Sequence, residues 1–330
     1  PPVPLGLDAD LVKMFEDTPI TPERVGLGWQ LFYDARLSKD ESISCASCHV
    51  AQAGFADPRK GSVGVGGAVG DRNAPPVINA AFNASQFWDG RSPSLEDQAL
   101  GPMQNPIEMA NTLEGVEARL NDIPGYRQQF KDIFGAERIS ADLVGEAIAS
   151  FERVVLSGNA PWDRWEYERD TAAVSDAARR GEALFRGKAR CAQCHTGSNY
   201  TDADARLFHN IGVGMSVPEP DLGRYNVTEQ EEDRGAFKTP TLRNIAETAP
   251  YMHDGSVATL EEVIDFYEGG GEPNQWLDAK MRPISNFTNQ EKQDLLAFLQ
   301  ALTGEVPEWT KRAPRLPPDE RPTGGTSKQP

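Results

Sequence analysis

Cys45-Ala46-Ser47-Cys48-His49 and Cys191-Ala192-Gln193-Cys194-His195 are the stretches that decide how this 330-residue chain folds, and they hold all four of its cysteines. Cysteines with this spacing could form two disulfides, a zinc site built from two CxxC knuckles, or thioether links to two haems. The histidine after each second cysteine favours haem, because neither a disulfide nor a four-thiolate zinc site needs it. The sequence therefore predicts two covalently bound haem c groups, attached through Cys45, Cys48, Cys191 and Cys194, with His49 and His195 as axial iron ligands.

The chain contains nothing that resembles a membrane segment or a signal peptide. No apolar run approaches the roughly 18–20 residues that a membrane span requires. The chain begins Pro1-Pro2-Val3-Pro4, without the charged and apolar regions of a signal peptide, so we interpret it as a mature exported form. Thioether attachment of haem takes place outside the cytoplasm, and the sequence therefore predicts a periplasmic protein.

The charge of the chain is strongly acidic. Lys and Arg number 33 and Asp and Glu number 50, which gives a formal charge of −17. No basic stripe is present that could neutralise phosphates, so nucleic acid is not expected as a partner. A partner that is steered electrostatically should present a basic face.

An internal repeat surrounds the two cysteine motifs. Helix-forming segments precede each motif, Pro22 to Phe32 and Ser175 to Phe185, and both contain Gly followed four residues later by Phe. Amphipathic helices that begin at Ser140 and Thr288 close the two halves. The fold class expected is mainly α, with two c-type cytochrome-like domains related by internal duplication. We place these domains at residues 1–160 and 161–304, followed by a Pro- and charge-rich tail, 305–330, that is either mobile or wrapped over the surface.

The chain has four histidines, and the two that follow no CxxC pair determine what else can reach the irons. His209 and His253 both lie in the second half, where a hydrogen-bonding or haem-edge role is the simpler interpretation. After the first motif no further histidine or methionine appears until Met103. An iron without a sixth protein ligand is open to peroxide. We therefore expect the first haem to be five-coordinate.

Six further segments occur in one order around the two motifs. Together they resemble the bacterial di-haem cytochrome c peroxidase/MauG family over roughly residues 20 to 303. The segments are Gly70-Asp71-Arg72-Asn73-Ala74-Pro75, Gln86-Phe87-Trp88-Asp89-Gly90-Arg91, Asn105-Pro106-Ile107-Glu108-Met109, Phe208-His209-Asn210-Ile211-Gly212, Phe237-Lys238-Thr239-Pro240-Thr241-Leu242-Arg243-Asn244 and Pro250-Tyr251-Met252-His253-Asp254-Gly255.

Two positions distinguish the branches of this family. Ordinary peroxidases carry a histidine ligand in the loop after the first motif, and residues 54–72 contain none here. Those peroxidases also place a methionine on the second iron, but no methionine lies between Met252 and Met281. Tyr267 stands where the MauG-like (MbnH-like) branch has a tyrosine ligand, although spacing alone would assign Tyr267 to a helical core stripe. The resemblance therefore implies that Tyr267 ligates the second haem iron.

The resemblance also implies roles for residues around the first haem. Glu108 would be the acid–base group for peroxide cleavage, and Gln98 and Pro102 would line the same distal pocket. Trp88 would be the bridge for electrons between the haems. Without the resemblance, Glu108 would be assigned to an exposed helix start and Trp88 to the core.

A calcium ion between the domains is a further implication of the resemblance. Asn73, Thr248 and Pro250 match the positions of its ligands, the last two through backbone carbonyls. Oxygen ligands of this kind suit calcium.

The activity expected is that of a peroxide-dependent oxidoreductase. Hydrogen peroxide would generate a high-valent state shared by the two haems, which then oxidises a partner protein at tryptophan or tyrosine. A cytochrome c peroxidase, supplied with electrons by a small cytochrome or cupredoxin, is the first alternative, and a non-enzymatic di-haem electron carrier is the second. Residues Gly187 to Cys191 lack the surface tryptophan that MauG uses to reach methylamine dehydrogenase, so a different periplasmic substrate is expected.

Overall fold

The computed structural model describes residues 3–8, 19–205 and 207–319, and helices dominate these ranges. The α-helices are α1 (Pro22–Phe32), α2 (Leu95–Gln104), α3 (Leu113–Asn121), α4 (Pro124–Phe134), α5 (Ala141–Glu152), α6 (Pro161–Tyr167), α7 (Asp176–Arg186), α8 (Tyr225–Thr228), α9 (Leu260–Gly269) and α10 (Asn289–Gln300). Two short antiparallel strands, β1 (Phe208–His209) and β2 (Phe237–Lys238), pair with Phe208 opposite Lys238. The prediction of a mainly α fold is confirmed.

The helices that carry the repeat begin at side chains that cap them. The Ser140 and Ser175 hydroxyls accept hydrogen bonds from Leu143 N and Ala178 N, at the first turns of α5 and α7. Thr288 forms a capping box with Glu291 at the start of α10. Each cap satisfies amide groups that a helix start leaves without an intrahelical partner, which fixes where the helix begins.

Each half is organised by a close crossing of two helices, α1 with α5 and α7 with α10. A Cβ atom built on Gly28 would lie 1.8 Å from the Ala147 carbonyl oxygen, and one built on Gly181 would lie 1.9 Å from the Asp294 carbonyl oxygen. Only glycine permits backbones to approach this closely. The glycines at equivalent positions of the repeat therefore set the same crossing in both halves.

Replacing these crossing glycines should destabilise the protein. Gly28→Ala and Gly181→Ala should each lower the free energy of unfolding by about 1–3 kcal/mol, because the added methyl group forces the crossing helices apart. Gly26→Ala is the matched control, since a Cβ at Gly26 meets nothing within 4 Å. That control should raise stability by about 0.5–1 kcal/mol through helix propensity. Urea titrations of the haem-loaded proteins measure the three values, and equal effects at Gly26 and Gly28 would contradict the crossing argument.

Two main hydrophobic cores lie on either side of residue 160. The first is built from residues between Val25 and Val155, joined by Val306, and the second from residues between Trp162 and Leu302. Within the described ranges, none of the helices combines the length and the apolar character that a membrane span requires.

The described part of the tail, 305–319, is wrapped over the first half. Glu305 N donates to Gly158 O at 2.8 Å. Further along, Tyr33 Oη donates to Thr310 O at 2.8 Å and Arg36 Nη1 donates to Pro317 O at 3.0 Å. Residues 320–330, which include the end of the predicted tail, lie outside the described residues.

Candidate haem cavities and the wall between them

The two cysteine motifs adopt the same backbone conformation. Cys45–Ser47 and Cys191–Gln193 each form a short 3-10 turn. His49 N donates to Cys45 O at 2.9 Å, and His195 N donates to Cys191 O at 3.0 Å. The four thiols are free and form no disulfide. Each turn therefore presents two thiols and one imidazole to the same cavity.

Both imidazoles are oriented by a backbone carbonyl. His49 Nδ1 lies 3.1 Å from Phe55 O, and His195 Nδ1 lies 3.0 Å from Tyr200 O. Burial lowers the pKa of both histidines, which favours the neutral ring. A neutral ring that donates through Nδ1 keeps the Nε2 lone pair available for a metal. These residues thus fit the axial-ligand role that the motifs predict.

The first cavity brings together the residues to which the resemblance gives roles around the first haem. His49 lines it together with Trp88, Gln98, Pro102 and Glu108. Gln98 and Pro102 lie on α2, whereas Glu108 lies in the turn that follows this helix and not at a helix start. The described lining contains one histidine, His49.

The Glu108 side chain is half-buried and accepts a hydrogen bond from Asn105. Asn105 Nδ2 donates to Glu108 Oε1 at 2.8 Å. Burial raises the pKa of Glu108, and the Asn105 hydrogen bond and the charge of Arg91 oppose this rise only in part. Raising the pKa of a carboxyl group toward neutrality makes it a better general base and acid.

The glycine-rich loop after the first motif holds the Glu108 backbone in place. Val65 N donates to Glu108 O at 2.8 Å. A Cβ on Gly64 would lie 2.0 Å from Ile107 O and 2.4 Å from Glu108 O. The glycine at this position thus permits the loop to pack directly against the turn that carries the carboxylate.

Glu152 is a cavity residue that the sequence reasoning missed. It lies at the end of α5, lines the first cavity and is 5% exposed. Burial, opposed in part by the charge of Arg153, raises the pKa of Glu152 to about 8. Its Oε2 atom has no hydrogen-bond partner among the described residues. The sequence signal that could have indicated its burial is its position four residues after Ile148, on the buried face of α5.

The second cavity is apolar and contains His195 and Tyr267. Its walls include Leu242, Val263 and Leu299. Burial raises the pKa of Tyr267 well above its usual value, and the neighbouring Cys191 and Cys194 add to this effect. The phenol therefore stays protonated unless a cation enters the cavity and stabilises the phenolate. A haem iron held by His195 would be such a cation, so the two residues fit a haem with Tyr267 on the iron.

His209 lies between two carboxylates at the edge of the second cavity. Its Nε2 atom is 2.8 Å from Asp202 Oδ2 and its Nδ1 atom is 2.5 Å from Asp278 Oδ2. Burial opposes protonation, but hydrogen bonds with Asp202, Cys194 and Asp278 raise the pKa of His209 to about 10. Cys194, Asp202 and His209 lie close enough to hold a metal ion. A protonated ring that donates from both nitrogens has no lone pair for one.

The His209 cluster should make stability depend on pH. In the haem-loaded protein Cys194 is a thioether, and the hydrogen bonds with Asp202 and Asp278 keep the folded-state pKa of His209 above its unfolded value. The contribution of His209 to stability is therefore complete below about pH 6.5 and is lost as the pH rises above this range. The free energy of unfolding of the haem-loaded protein should therefore fall between pH 7 and pH 10. His209→Gln should remove most of this slope, whereas His253→Gln should not, because burial lowers the pKa of His253 to about 4. Equal slopes in the parent and His209→Gln would contradict the assignment.

His253 is a neutral ring in the second cavity. Its imidazole stacks on Phe237 with ring centroids 3.7 Å apart and an angle of 15°. Its carbonyl oxygen accepts a hydrogen bond from Asn73 N at 2.8 Å. These contacts give His253 a packing role at the cavity edge.

A single wall separates the two cavities. The residues that line both are Asn73, Pro76, Trp88, Lys238, Pro240 and Thr241. Trp88 Nε1 donates to Asn73 O at 2.8 Å, and Lys238 N donates to Trp88 O at 2.8 Å. The indole of Trp88 is thus fixed between the sites expected for the two haems.

The residues matched to calcium ligands line the second cavity. Asn73, Thr248 and Pro250 all contribute to it. Asn73 Nδ2 donates to Asp57 O at 2.8 Å and to Arg59 O at 2.7 Å, which leaves the Asn73 amide oxygen as the group for a hard cation.

Two attachment turns with neutral imidazoles, each facing its own cavity, define a di-haem c-type cytochrome. The di-haem cytochrome c peroxidase (MauG) family profile matches residues 22–172, and the cytochrome c profile matches residues 178–303. The methylamine utilization protein MauG of Methylorubrum extorquens is 43% identical over 302 residues, 91% of this chain and 83% of that protein. The cytochrome c551 peroxidase of Nitrosomonas europaea is 38% identical over 308 residues, 93% of this chain and 87% of that protein.

Among solved structures, a MauG-like protein associated with microbial copper homeostasis is similar to this chain. It matches with a TM-score of 0.83 and 35% identity, covering 95% of this chain and 97% of the other. The chain belongs to the di-haem cytochrome c peroxidase/MauG family. It is a haem peroxidase-type oxidoreductase with two haem cofactors.

Proposed function

We propose that this protein uses hydrogen peroxide, bound in the first cavity, to oxidise a partner protein at tryptophan or tyrosine. The observation that carries the proposal is the composition of the first cavity. Glu108 shares it with His49, and the described lining holds no second histidine that would have to leave before peroxide binds. His49, Cys45 and Cys48 would hold the first haem, which would supply the electrons for O–O cleavage when bound.

Glu108 has the environment that proton transfer to peroxide requires. Its carboxylate would take a proton from one peroxide oxygen and return it to the other, which leaves as water. The hydrogen bond from Asn105 Nδ2 to Oε1 orients the group and leaves Oε2 for the peroxide. Gln98 and Pro102 shape the same space and limit where a small ligand can lie.

The second haem has a different proposed role, which follows from the positions of Trp88 and Tyr267. An anionic oxygen ligand stabilises oxidised iron, so Tyr267 as a ligand would lower the potential of this haem relative to a methionine ligand. Trp88 lines both cavities, and oxidising equivalents would pass across it and be shared by the two sites. A partner can therefore be oxidised without entering the peroxide cavity.

We propose in addition that the chain acts in the periplasm and holds a calcium ion at Asn73, Thr248 and Pro250. The domains divide at residue 160, consistent with the two cores, with 161–304 as the second domain and 305–330 as the tail. The net charge of −17 favours a partner whose contact face is basic. The run Gly187 to Cys191 lacks a tryptophan, which favours a substrate other than methylamine dehydrogenase.

The experiment that tests the function combines peroxide with a candidate partner. The haem-loaded protein is incubated with peroxide and the product of the neighbouring reading frame, and mass spectrometry then locates oxidation on that product. Oxidation at tryptophan or tyrosine that requires both peroxide and this protein supports the proposal. An unmodified partner, together with rapid steady-state oxidation of a reduced small cytochrome, would instead identify a cytochrome c peroxidase.

The cytochrome c peroxidase alternative is favoured by the names of several relatives, among them the cytochrome c551 peroxidase of Nitrosomonas europaea at 38% identity. The electron-carrier alternative requires both irons to be six-coordinate. An oxidised-state EPR spectrum with only low-spin signals would support the carrier and contradict both enzymatic functions.

A further inference from the structure

A row of aromatic rings leads from His49 to the surface of the first half. The His49 and Phe32 ring centroids are 6.3 Å apart, and those of Phe32 and Phe151 are 5.1 Å apart. Phe151 in turn lies 6.1 Å from Trp309, whose side chain belongs to the wrapped tail. Each ring in this row therefore touches the next, from the imidazole to the tail.

The outer end of the row is a pair of tryptophans. Trp309 is 41% exposed, and its ring meets Trp29 edge to face at 5.3 Å and 82°. Trp29 Nε1 donates to Arg312 O at 2.9 Å. The negative face of an indole stabilises positive charge on a neighbour. The arrangement thus favours transient loss of an electron from this pair.

The tail holds this pair in a fixed position. The residue after Trp309, Thr310, is fully buried, and its carbonyl oxygen accepts from Tyr33 Oη at 2.8 Å. Thr310 N and Oγ1 both donate to Pro307 O, at 2.9 Å and 2.6 Å. The solvent-facing indole is therefore anchored by backbone contacts on both sides.

The second half repeats the inner rings but not the exposed end. Phe185 lies 6.5 Å from His195 and 5.2 Å from Phe298, which meets Trp162 at 4.9 Å. Trp162, however, is 2% exposed, and Trp165 packs over it at 4.6 Å. Of the two rows of rings, only the one in the first half therefore ends at a strongly exposed indole, which the tail supplies.

We propose that Trp309 and Trp29 form a surface outlet through which the first cavity withdraws single electrons from an exposed phenol or indole. This inference rests on the proposed reduction of peroxide in that cavity. Hydrogen peroxide takes up two electrons and two protons and becomes two waters. Each electron leaves Trp309 inward and is replaced by one from the donor, whose proton passes to solvent. The donor, a phenol or indole side chain, is oxidised by one electron at each encounter.

Without a donor, the pair itself should be oxidised. The indole and one water molecule together lose two electrons and two protons, and the oxygen atom of that water remains on the indole. Peroxide supplies the matching oxidising equivalents, so the net reaction converts one tryptophan and one peroxide into one oxygenated tryptophan and one water. This product marks the outlet chemically.

The test treats the haem-loaded full chain with a few equivalents of peroxide and maps oxygen addition by peptide mass spectrometry. In the parent we expect oxygen addition at Trp309 and Trp29. In Trp309→Phe the addition at position 309 should be lost, and the peroxide-induced absorption change should last several-fold longer. Oxidation of p-cresol should slow several-fold. Trp29→Phe is the second variant and should give the same lengthening. Trp276→Phe is the matched control, since Trp276 lies 5.3 Å from the Arg234 cation and no described ring contact joins it to either motif histidine.

The outcomes distinguish this inference from the function on which it rests. If peroxide changes the haem spectrum normally but Trp309 stays unmodified and Trp309→Phe behaves as the parent does, the outlet is wrong and the proposed function stands. If peroxide leaves the spectrum of the parent unchanged, both are wrong. Equal oxygen addition at Trp276 and Trp309 would also contradict the proposed outlet, because oxidation would then not depend on the row of rings that leads to Trp309.

Discussion

Replacing Glu108 with glutamine should slow the reaction of the first haem with peroxide by about 100-fold or more, the range that general acid–base groups contribute. Glutamine keeps the shape of the side chain and can still accept the hydrogen bond that Asn105 Nδ2 donates. It cannot take up the peroxide proton, so the loss reports proton transfer alone. Stopped-flow absorption after mixing with peroxide measures the rate.

The pH dependence of the same reaction provides a second signature of Glu108. The base form is the carboxylate, and burial raises the pKa of this group. The rate of the parent should therefore fall as the pH drops through a value above the ordinary range for glutamate. In Glu108→Gln this acid limb should disappear along with most of the rate.

Two further glutamates make the Glu108 experiment specific. Glu114→Gln removes an exposed charge from the nearby helix α3 and should react as fast as the parent. Glu152→Gln removes the other acid of the first cavity. A large loss at Glu152 with little loss at Glu108 would transfer the acid–base role to Glu152.

Local signals in the sequence predicted most of the architecture. The caps at Ser140, Ser175 and Thr288 and the periodic apolar faces behind them located the helices, because both depend on residues adjacent in the chain. The repeat of Gly and Phe around the motifs likewise indicated two similar halves. The reason for the glycines, the close contact with Ala147 and Asp294, depends on a second helix and could be known only from the structure.

The parts of the site that escaped prediction depend on long-range contacts. In the sequence Glu152 resembles an ordinary glutamate at a helix end. Its side chain lines the first cavity only because of how α5 packs. Lys238 belongs to a segment that resembles the family, but its place in the wall between the cavities depends on contacts from both halves of the chain. The pairing of Trp309 with Trp29 depends on how the tail returns to α1, which no local pattern encodes.

Replacing Tyr267 with phenylalanine should raise the reduction potential of the second haem by on the order of 100 mV or more, since axial ligands set haem potentials over about 0.8 V. Loss of an anionic oxygen donor removes the stabilisation of oxidised iron, and the absorption and EPR spectra of this haem should change with it. Spectroelectrochemical titration measures the potential. The covalent links at Cys191 and Cys194 should remain, so two haems per chain are expected in the variant.

Tyr251→Phe is the matched control for the Tyr267 experiment, because both tyrosines line the second cavity. The Tyr251 hydroxyl donates to Ile245 O at 3.0 Å and is thus directed to the backbone. Tyr267 lines the same cavity as His195, so its hydroxyl could approach an iron held by that histidine. Tyr251→Phe should therefore leave the potential and spectra of the second haem nearly unchanged. If Tyr267→Phe also leaves them unchanged, Tyr267 is not the ligand of the second iron, and this haem would not have the lowered potential that holding oxidising equivalents requires.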